Sequence, residues 1–411
     1  MTQGWAVTYP PTVDAAQKQP LPWRRLCREA AWIWLVWQIL LVMLTYAALT
    51  FTPSTLGHPH TSVVTLDTLV TSWVRHDSAW YLQIAAHGYT PPQTLAFFPL
   101  YPALIRLATL LCFGNAPLAA ILVARLACYP AFLGMLALAW QELGPRISTS
   151  RLALAITLAY PLAFFFGAAY TESLFLAAAA FALLFLRRHA WGWAALFTFI
   201  AAVSRPTGLI LILPVAWEWA RTERPWQHWR IWREWRTWRD GALLLGAVPA
   251  AYVVMAVISM QAMQGDPKAF ISIHSKFDRV TLAPWEIVRL LFGAFYPVEM
   301  GSFAQAHNLT DAGLVIVFIV LVIVGAVRRA MPVSFVLYMA GLIVLIIASP
   351  TPNLIDPFVS SGRFLTAAIP VFLLLATWAE RRPWLTWLII GGGLYLQAVL
   401  AAYFLIGGWI I

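Results

Sequence analysis

Charged side chains are scarce in this sequence. Asp, Glu, Lys and Arg make up 11% of the 411 residues, and only 17 of those residues are acidic against 27 that are basic. A soluble domain carries about 25% charged residues and about 45 to 50% apolar ones, whereas this chain is 61% hydrophobic with a mean hydropathy of +0.74. The composition excludes a soluble globular enzyme and predicts a chain that lies almost entirely in a membrane.

Several site signatures are also missing. The three cysteines are widely spaced in or beside apolar stretches, which excludes a disulfide framework and a thiolate metal site. The sequence has no Asp-x-Asp pair, no His-Glu-x-x-His and no P-loop, so a metal-bridged nucleotide-sugar site, a zinc hydrolase and an ATPase all lack a signature. His58 and His60 form a His-x-His with no further ligand nearby. We therefore expect neither a metal nor a cofactor.

Long apolar runs take the place of these motifs. A membrane span needs about 20 apolar residues, and that rule predicts about eleven transmembrane helices in an all-α polytopic membrane protein. The predicted spans are 30–52, 117–140, 151–168, 170–186, 190–204, 206–219, 241–262, 308–327, 332–349, 364–379 and 384–409.

Basic residues set the expected orientation. The apolar run 97–113 is short and contains Pro99, Pro102 and Arg106, and we interpret it as an amphipathic juxtamembrane helix on the outer surface. The N-terminus and the basic residues between spans then face the cytoplasm, as the positive-inside rule requires. These residues are Arg24, Arg25, Arg28, Arg146, Arg187, Arg188, Arg328, Arg329, Arg381, Arg382 and the Trp/Arg segment 226–238.

The same assignment of spans and loops gives the organisation of the chain. Residues 1–29 form a cytoplasmic tail that leads into an uncleaved signal anchor, and 30–220 form a first transmembrane module with an outer loop at 52–116. The segment 221–240 is amphipathic, with Trp and Arg at helical spacing, which is typical of a helix on anionic headgroups rather than on nucleic acid. A second module follows at 241–411, with outer loops at 261–307 and 350–363.

Asp77 is the first candidate for chemistry. On a continuous helix, the apolar side chains before and after it form one stripe, and Asp77 lies within that stripe; the stripe consists of Leu66, Leu69, Val70, Trp73, Trp80 and Ile84. A carboxylate on an apolar face beside a bilayer is a functional-site candidate, and it can act as a proton acceptor. The alternative is a structural ion pair with Arg75 or a distant arginine.

Three further residues are expected on the same side of the membrane. Glu172 begins a helix after Thr171, so it is either a second active-site acid or a first-turn residue favoured by the helix dipole. Arg205, just before Pro206, and Arg363 are expected at the outer interface, where each could bind a phosphate in bidentate fashion or anchor to headgroups. His274, Lys276 and Arg279 are weaker candidates in the second outer loop.

Four motifs in order carry a resemblance to a known family: RHDSAWYLQIAAHGY, AFFPLYP, AAYTES and SRPTG, within 73–208. This part of the chain resembles the bacterial relatives of the GPI mannosyltransferase 2 (PIG-V) family, in the GT-C superfamily of integral-membrane glycosyltransferases. In the second half, Gly362-Arg363-Phe364 is a further motif. His76 stands where tryptophan is common in the family, and SRPTG replaces an Arg-Ser-Asn-Gly-like stretch.

The resemblance implies a GT-C-type fold and transfer of a sugar, mannose in particular, from a polyprenyl-phosphate donor to an acceptor hydroxyl of a lipid, glycan or protein at the outer face. It implies Asp77 as the catalytic residue, with Glu172 assisting. The residues expected to bind the donor and its phosphate are Arg75, His76, Tyr81, His87, Tyr101, Arg205 and Arg363.

Two other hypotheses remain open. A proton-coupled transporter or lipid flippase also uses intramembrane acids, although inverted repeats and broken charged helices would be its mark. A structural membrane subunit would pack the face around Asp77 against a partner. The collection of polar residues in outer loops favours chemistry at the membrane surface.

Overall fold

The computed structural model describes residues 20–51, 64–224, 235–273, 277, 279–293, 295, 303–348, 350–351 and 357–408, without the side chains of residues 284 and 303–307. Every regular element in these ranges is a helix. The α-helices are α1 Trp23–Phe51, α2 Leu66–Thr71, α3 Ser78–His87, α4 Leu100–Leu111, α5 Ala116–Leu143, α6 Ile147–Leu158, α7 Glu172–Arg187, α8 Trp191–Ser204, α9 Ile212–Glu223, α10 Trp235–Ala262, α11 Ala269–Ser272, α12 Pro284–Gly293, α13 Phe303–Val327, α14 Val333–Ile347, α15 Ser361–Phe364, α16 Ile369–Glu380 and α17 Pro383–Leu405. Short 3-10 helices occupy Pro92–Ala96, Ala163–Gly167, Pro206–Leu211 and Leu365–Ala367.

Within the described residues, five helices are long and apolar enough to cross a bilayer: Trp23–Phe51, Ala116–Leu143, Trp235–Ala262, Asn308–Val327 and Pro383–Leu405. A sixth span forms if Ser361–Ala367 and Ile369–Glu380, which meet at 73°, cross as one bent unit. The chain is therefore an all-helical, multi-pass membrane protein.

Five of the eleven predicted spans form shorter helices, α6, α7, α8, α9 and α14, of 12 to 16 residues. At a rise of 1.5 Å per residue they are about 18 to 24 Å long. The predicted span 151–168 illustrates the cause. Its helix ends at Leu158, three residues before Pro161, because a proline disfavours helical geometry in the residue before it.

The centre of the bundle is α5, which packs against α1, α4, α6 and α7. The Asn115 side chain accepts a hydrogen bond from the Leu118 amide at 2.9 Å and so caps the start of this helix. At Gly134 an added Cβ would lie 3.0 Å from the Cβ of Ala180 on α7. Small residues thus let the two helices approach closely, as is common in membrane helix pairs.

The predicted amphipathic helix in 97–113 is present as α4. Its inner face buries Tyr101 and Ile105, while Leu107, Leu110 and Leu111 are exposed. This exposed leucine face is the surface that a helix lying in a lipid interface presents.

The far end of the bundle holds a buried charged group that we call the Arg187 cluster: Glu142, Arg187, Glu218, Arg221 and Ser334. Arg187 donates to Glu142 Oε1 at 3.0 Å and to Glu218 Oε1 at 2.9 Å, and Ser334 donates to the same Glu218 oxygen at 2.6 Å. We interpreted Arg187 as a charge in a loop between spans that helps to set the orientation of the chain. The expected loop surroundings are wrong, because the Arg187 side chain is 8% exposed. Pairing with two carboxylates is what makes this burial tolerable.

Helix α7 joins the two ends of the bundle. It runs from Glu172 to Arg187 and has 16 residues, so it is about 24 Å long. The first residues of α7 therefore lie at the end of the bundle opposite the Arg187 cluster, and the candidate site is built there.

Candidate functional site

The chain around Asp77 is not the continuous helix that the sequence predicted. Helix α2 ends at Thr71 and α3 begins at Ser78, with turns between them, and His76 has a left-handed φ of 49°. The predicted apolar stripe is therefore wrong: Leu66 at one end is exposed and Ile84 at the other is buried.

Tertiary hydrogen bonds hold these turns in place. Trp73 is fully buried, and its indole N–H donates to Thr45 Oγ1 of α1 at 2.8 Å. The Trp73 carbonyl accepts from the Ala169 amide at 3.1 Å, and Ser78 Oγ donates to the Ala169 carbonyl at 3.1 Å. These bonds to distant residues outweigh the local helical pattern, because the buried backbone groups at this corner must be satisfied.

Asp77 occupies the N-cap position of α3, yet its carboxylate makes no capping hydrogen bond to that helix. An N-cap aspartate ordinarily accepts from the second or third amide of its own helix. Here Asp77 Oδ2 accepts instead from Arg363 Nη1 at 2.8 Å. The carboxylate is directed away from its own helix and towards a residue 286 positions later in the sequence.

Four charged side chains form what we call the Asp77 cluster: Asp77, Glu172, Arg205 and Arg363. Arg363 contacts both acids, since its Nε lies 3.4 Å from Glu172 Oε1. Arg205 Nη1 lies 2.6 Å from the same glutamate oxygen. The four residues that the sequence placed on one side of the membrane are thus one continuous chain of ion pairs.

The two acids of the cluster differ in accessibility. The Asp77 side chain is 27% exposed, whereas that of Glu172 is 1% exposed. In the part of the chain that the structure describes, neither Glu172 oxygen accepts a hydrogen bond of good geometry, so its contacts with the arginines are electrostatic. Asp77 is therefore the acid that a substrate could reach, and Glu172 supplies buried negative charge between two arginines.

Thr171 occupies the N-cap position of α7, but its hydroxyl makes no capping hydrogen bond. The Glu172 carboxylate lies in the first turn, where the helix dipole favours a negative charge. The structural interpretation of Glu172 as a first-turn acid favoured by the helix dipole fits this geometry. A cap supplied by the Thr171 hydroxyl does not form. A position in the first turn is compatible with a role in the cluster.

Arg205 and Arg363 are buried, so the expectation that they extend into the interface or anchor to headgroups is wrong. Their side chains are 8% and 9% exposed. Both guanidiniums lie over the ring of Phe364, at 5.2 and 5.4 Å from its centroid, and Arg279 lies over the same ring at 5.9 Å. Three guanidiniums thus converge on one aromatic ring, and two of them are paired with the carboxylates of Asp77 and Glu172.

Arg75 and His76 are fixed to the last turn of α17 and the residues after it. Arg75 Nη2 donates to the Leu405 carbonyl at 3.1 Å, and His76 Nε2 lies 3.0 Å from the Gly408 carbonyl. Since a carbonyl only accepts, we assign the imidazole proton to Nε2. Burial lowers the pKa of His76, against the opposing effects of the Gly408 carbonyl and Asp77. The turn that carries Asp77 is therefore held from both α1 and α17.

Three tyrosines border the cluster. Tyr81 is buried, meets the rings of Tyr101 and Tyr170 edge to face, and has a pKa raised to about 12 by burial. The Tyr101 hydroxyl donates to the Ala120 carbonyl at 2.9 Å, which commits it to packing against α5. Tyr170 lies beneath Arg363, with the guanidinium 5.1 Å from its ring centroid, and donates to the Arg75 carbonyl at 3.0 Å.

His87 is the predicted site residue that the structure does not bring to the cluster. It is exposed on the last turn of α3, about 15 Å along the helix from Asp77. His58, His60, His274 and Lys276 lie outside the described residues. The described ranges contain no group of three or more His, Cys, Asp or Glu side chains placed to hold a metal.

Sequence reasoning gave too little weight to Arg279 and did not single out Tyr170 or Phe364 as site residues. Tyr170 and Phe364 lie inside motifs that were already noted, AAYTES and Gly362-Arg363-Phe364. Their aromatic side chains beside Glu172 and Arg363 were the available signal. Arg279 gave none beyond its position in an outer loop.

A groove of about 620 Å³ lies at the other end of the bundle, lined by residues such as Trp191, Trp193 and Arg239. Its acid, Asp240, is already paired with Arg239 at 2.8 Å. The Asp77 cluster therefore remains the candidate functional site.

Comparison with known proteins gives no relative for this chain: no protein-family model, no curated protein and no solved structure matches it.

Proposed function

We propose that this protein is a membrane-embedded glycosyltransferase of GT-C type that moves a sugar, mannose in the first instance, from a polyprenyl-phosphate donor to an acceptor hydroxyl. The observation that carries the proposal is the partly exposed Asp77 carboxylate, which is turned away from its own helix and held by the buried Arg363. The resemblance of the motifs around Asp77, Glu172 and Arg205 to the PIG-V family supports the same reaction.

In the proposed reaction, Asp77 accepts the proton of the acceptor hydroxyl while the hydroxyl oxygen attacks the anomeric carbon of the sugar. The bond between that carbon and the phosphate oxygen breaks, and polyprenyl phosphate leaves with the bonding electrons. Arg363 orients the Asp77 carboxylate through the hydrogen bond from its Nη1 to Asp77 Oδ2. Glu172 holds Arg363 and Arg205 in place.

The leaving phosphate requires positive charge rather than a strong acid. Arg205 and Arg363 belong to the Asp77 cluster, and Arg279 lies with them around Phe364, with Arg75 on the turn that carries Asp77. Planar guanidiniums suit bidentate contact with a phosphate. The arginines beside Asp77 therefore support a phosphate-linked donor, with no metal required by the proposal.

The finer architecture belongs to the same proposal. We place the protein in the cell membrane with about eleven membrane segments, which include the short helices α6, α7, α8, α9 and α14. The N-terminus is cytoplasmic, and the Asp77 cluster faces the extracytoplasmic side. The modules 30–220 and 241–411, joined by 221–240, both contribute to it, since Asp77 comes from the first and Arg363 from the second.

The function is tested with purified protein in lipid nanodiscs, supplied with polyprenyl-phosphate mannose and a panel of lipid, glycan and peptide acceptors. We expect release of polyprenyl phosphate and of a mannosylated product in equal amounts. Nanodiscs without protein are the control for spontaneous hydrolysis. No release with any acceptor by folded protein would overturn the proposal, and proton-dependent uptake of a solute in proteoliposomes would favour the transporter hypothesis instead.

Sidedness gives a separate prediction. In a background in which Cys27, Cys112 and Cys128 are replaced by alanine, Ala86→Cys on the exposed face of α3 is expected to react with a membrane-impermeant maleimide on intact cells. Arg329→Cys, exposed at the far end of the bundle, is expected to react only after permeabilisation. The reverse labelling pattern would place the Asp77 cluster in the cytoplasm and refute the proposed orientation.

A further inference from the structure

Asp311 is a buried acid in a membrane-spanning helix that the proposed chemistry does not use. It lies in the apolar span Asn308–Val327 of α13 and is 2% exposed. An ionisable side chain is costly in such a segment and is retained there for a function or for a specific contact. The contacts of Asp311 therefore indicate why the acid is present in this span.

Asp311 contacts the backbone segment that carries Arg363. Asp311 Oδ1 accepts from the Gly362 amide at 2.9 Å. On the other side, the Tyr160 hydroxyl donates to the Gly362 carbonyl at 2.7 Å. Because the amide and the carbonyl of Gly362 belong to the two peptide groups that flank it, both peptide planes before Arg363 are fixed by side chains from elsewhere in the bundle.

Tyr160 is itself held in place. Its carbonyl accepts from Gln397 Nε2 of α17 at 3.0 Å, and the same amide group donates to the Leu158 carbonyl at 3.0 Å. The Tyr160 ring packs edge to face on Phe318 of α13, with the centroids 5.8 Å apart. The clamp on Gly362 thus connects to two long helices, α13 and α17.

The fit around Gly362 leaves no room for a side chain. An added Cβ would lie 2.5 Å from Asp311 Oδ1 and 2.5 Å from Leu162 Cδ1. Ser360, two residues earlier, has a left-handed φ of 72°, which turns the chain into the short helix α15. Asp311 can therefore approach the chain this closely only because residue 362 has no side chain. The next residue in the chain is Arg363.

We propose that Asp311 is a positioning residue: by holding the Gly362 amide, it sets the direction of Arg363 towards Asp77 and Glu172. Its role in transfer rests on the proposed function, whereas its hold on Arg363 does not. Loss of the Asp311 oxygen frees the Ser361–Gly362 peptide, so that the guanidinium of the next residue, Arg363, no longer pairs with Asp77 in one fixed geometry.

A pair of variants separates the hydrogen bond from the shape of the side chain. Asp311→Asn keeps an oxygen that can accept from Gly362, while Asp311→Leu has the same branched arrangement of heavy atoms, with methyl groups in place of the oxygens, and no acceptor. The measurement is the coupling between Asp77→Ala, which removes the acceptor for Arg363, and Arg363→Gln in the melting temperature of the detergent-purified protein. In the chain that keeps Asp311, the sum of the melting-temperature shifts of the two single variants is expected to differ from the shift of the double variant. We expect this difference to be about 1 to 4 °C, since residues in direct contact couple.

We expect the non-additivity to persist with Asp311→Asn and to vanish with Asp311→Leu. Unchanged coupling with Asp311→Leu would overturn the inference. Asp311→Ala is the second variant if the leucine variant does not fold; if both fail to fold while Asp311→Asn folds, the acid serves the fold and not Arg363, and the inference is equally overturned. A general structural role lowers the melting temperature without changing this coupling.

The readout is unfolding, so the result stands apart from turnover. If the protein transfers no sugar but the coupling behaves as expected, the proposed function fails and the positioning role of Asp311 remains. If transfer is observed, Asp311→Leu is expected to lower kcat in the chain with Arg363 and to have no further effect in the Arg363→Gln background. An additional loss in that background would show that Asp311 acts through another route.

Discussion

Asp77→Asn is expected to lower the rate of sugar transfer by about 10² to 10⁴-fold, the contribution of a positioned general base. The asparagine side chain has nearly the same shape, and its amide oxygen can still accept from Arg363, whose Nη1 lies 2.8 Å from Asp77 Oδ2. What it cannot do is take the proton of the acceptor hydroxyl. The fall should therefore appear in kcat, measured as initial release of polyprenyl phosphate, with little change in the amount of folded protein.

The matched control is Asp67→Asn. Asp67 lies ten residues earlier in the same loop, in the first turn of α2, and is exposed. The substitution removes the same charge from the same surface without touching the cluster, so we expect activity within about twofold of the unchanged protein. Equal turnover by the Asp77 and Asp67 variants would exclude Asp77 as the base.

The transporter and structural-subunit hypotheses make different predictions for the same variant. A structural role for Asp77 as the partner of Arg363 predicts that asparagine, which can keep that hydrogen bond, is tolerated in every assay. A proton-coupling role predicts loss of transport in a chain that never releases a lipid phosphate. One variant measured in two assays therefore separates all three.

The membrane character and the grouping of four site residues were accessible from the sequence. Asp77, Glu172, Arg205 and Arg363 are far apart in the chain, yet counting apolar spans and keeping basic loops on one side placed them together. Such counting works because each span reverses the direction of the chain, so that loops separated by an even number of spans share a surface. The structure brings these four side chains into contact.

The local geometry was not accessible, for physical reasons that differ between positions. The break before Asp77 depends on bonds from Trp73 to Thr45 and Ala169, and residue spacing within one segment contains no information on those partners. The burial of Arg187 depends on Glu142 and Glu218 from two other helices. In both cases tertiary contacts, and not the local sequence pattern, determine the conformation and the burial of the residue.

Arg363→Gln is expected to have the largest effect on stability of any variant of the cluster. Arg363 is 9% exposed and pairs with both Asp77 and Glu172, so its removal leaves the buried Glu172 carboxylate with Arg205 alone and Asp77 without its donor. Breaking a buried pair from one side costs about 3 to 5 kcal/mol. We expect a clear fall in melting temperature in detergent, together with a loss of transfer at least as large as that of Asp77→Asn.

Arg363→Lys is expected to restore little. A lysine carries the charge, but without a planar fork it cannot donate to Asp77 and at the same time hold a second nitrogen beside Glu172. The control is Arg146→Gln, which breaks the Arg146–Glu380 pair at the far end of the bundle, where the arginine side chain is 57% exposed; pairs of this kind contribute about 0 to 1 kcal/mol. Equal melting temperatures for the two glutamine variants would mean that the ion pairs of the Asp77 cluster contribute no more than a surface contact, and the proposed orientation of Asp77 by Arg363 would fall with them.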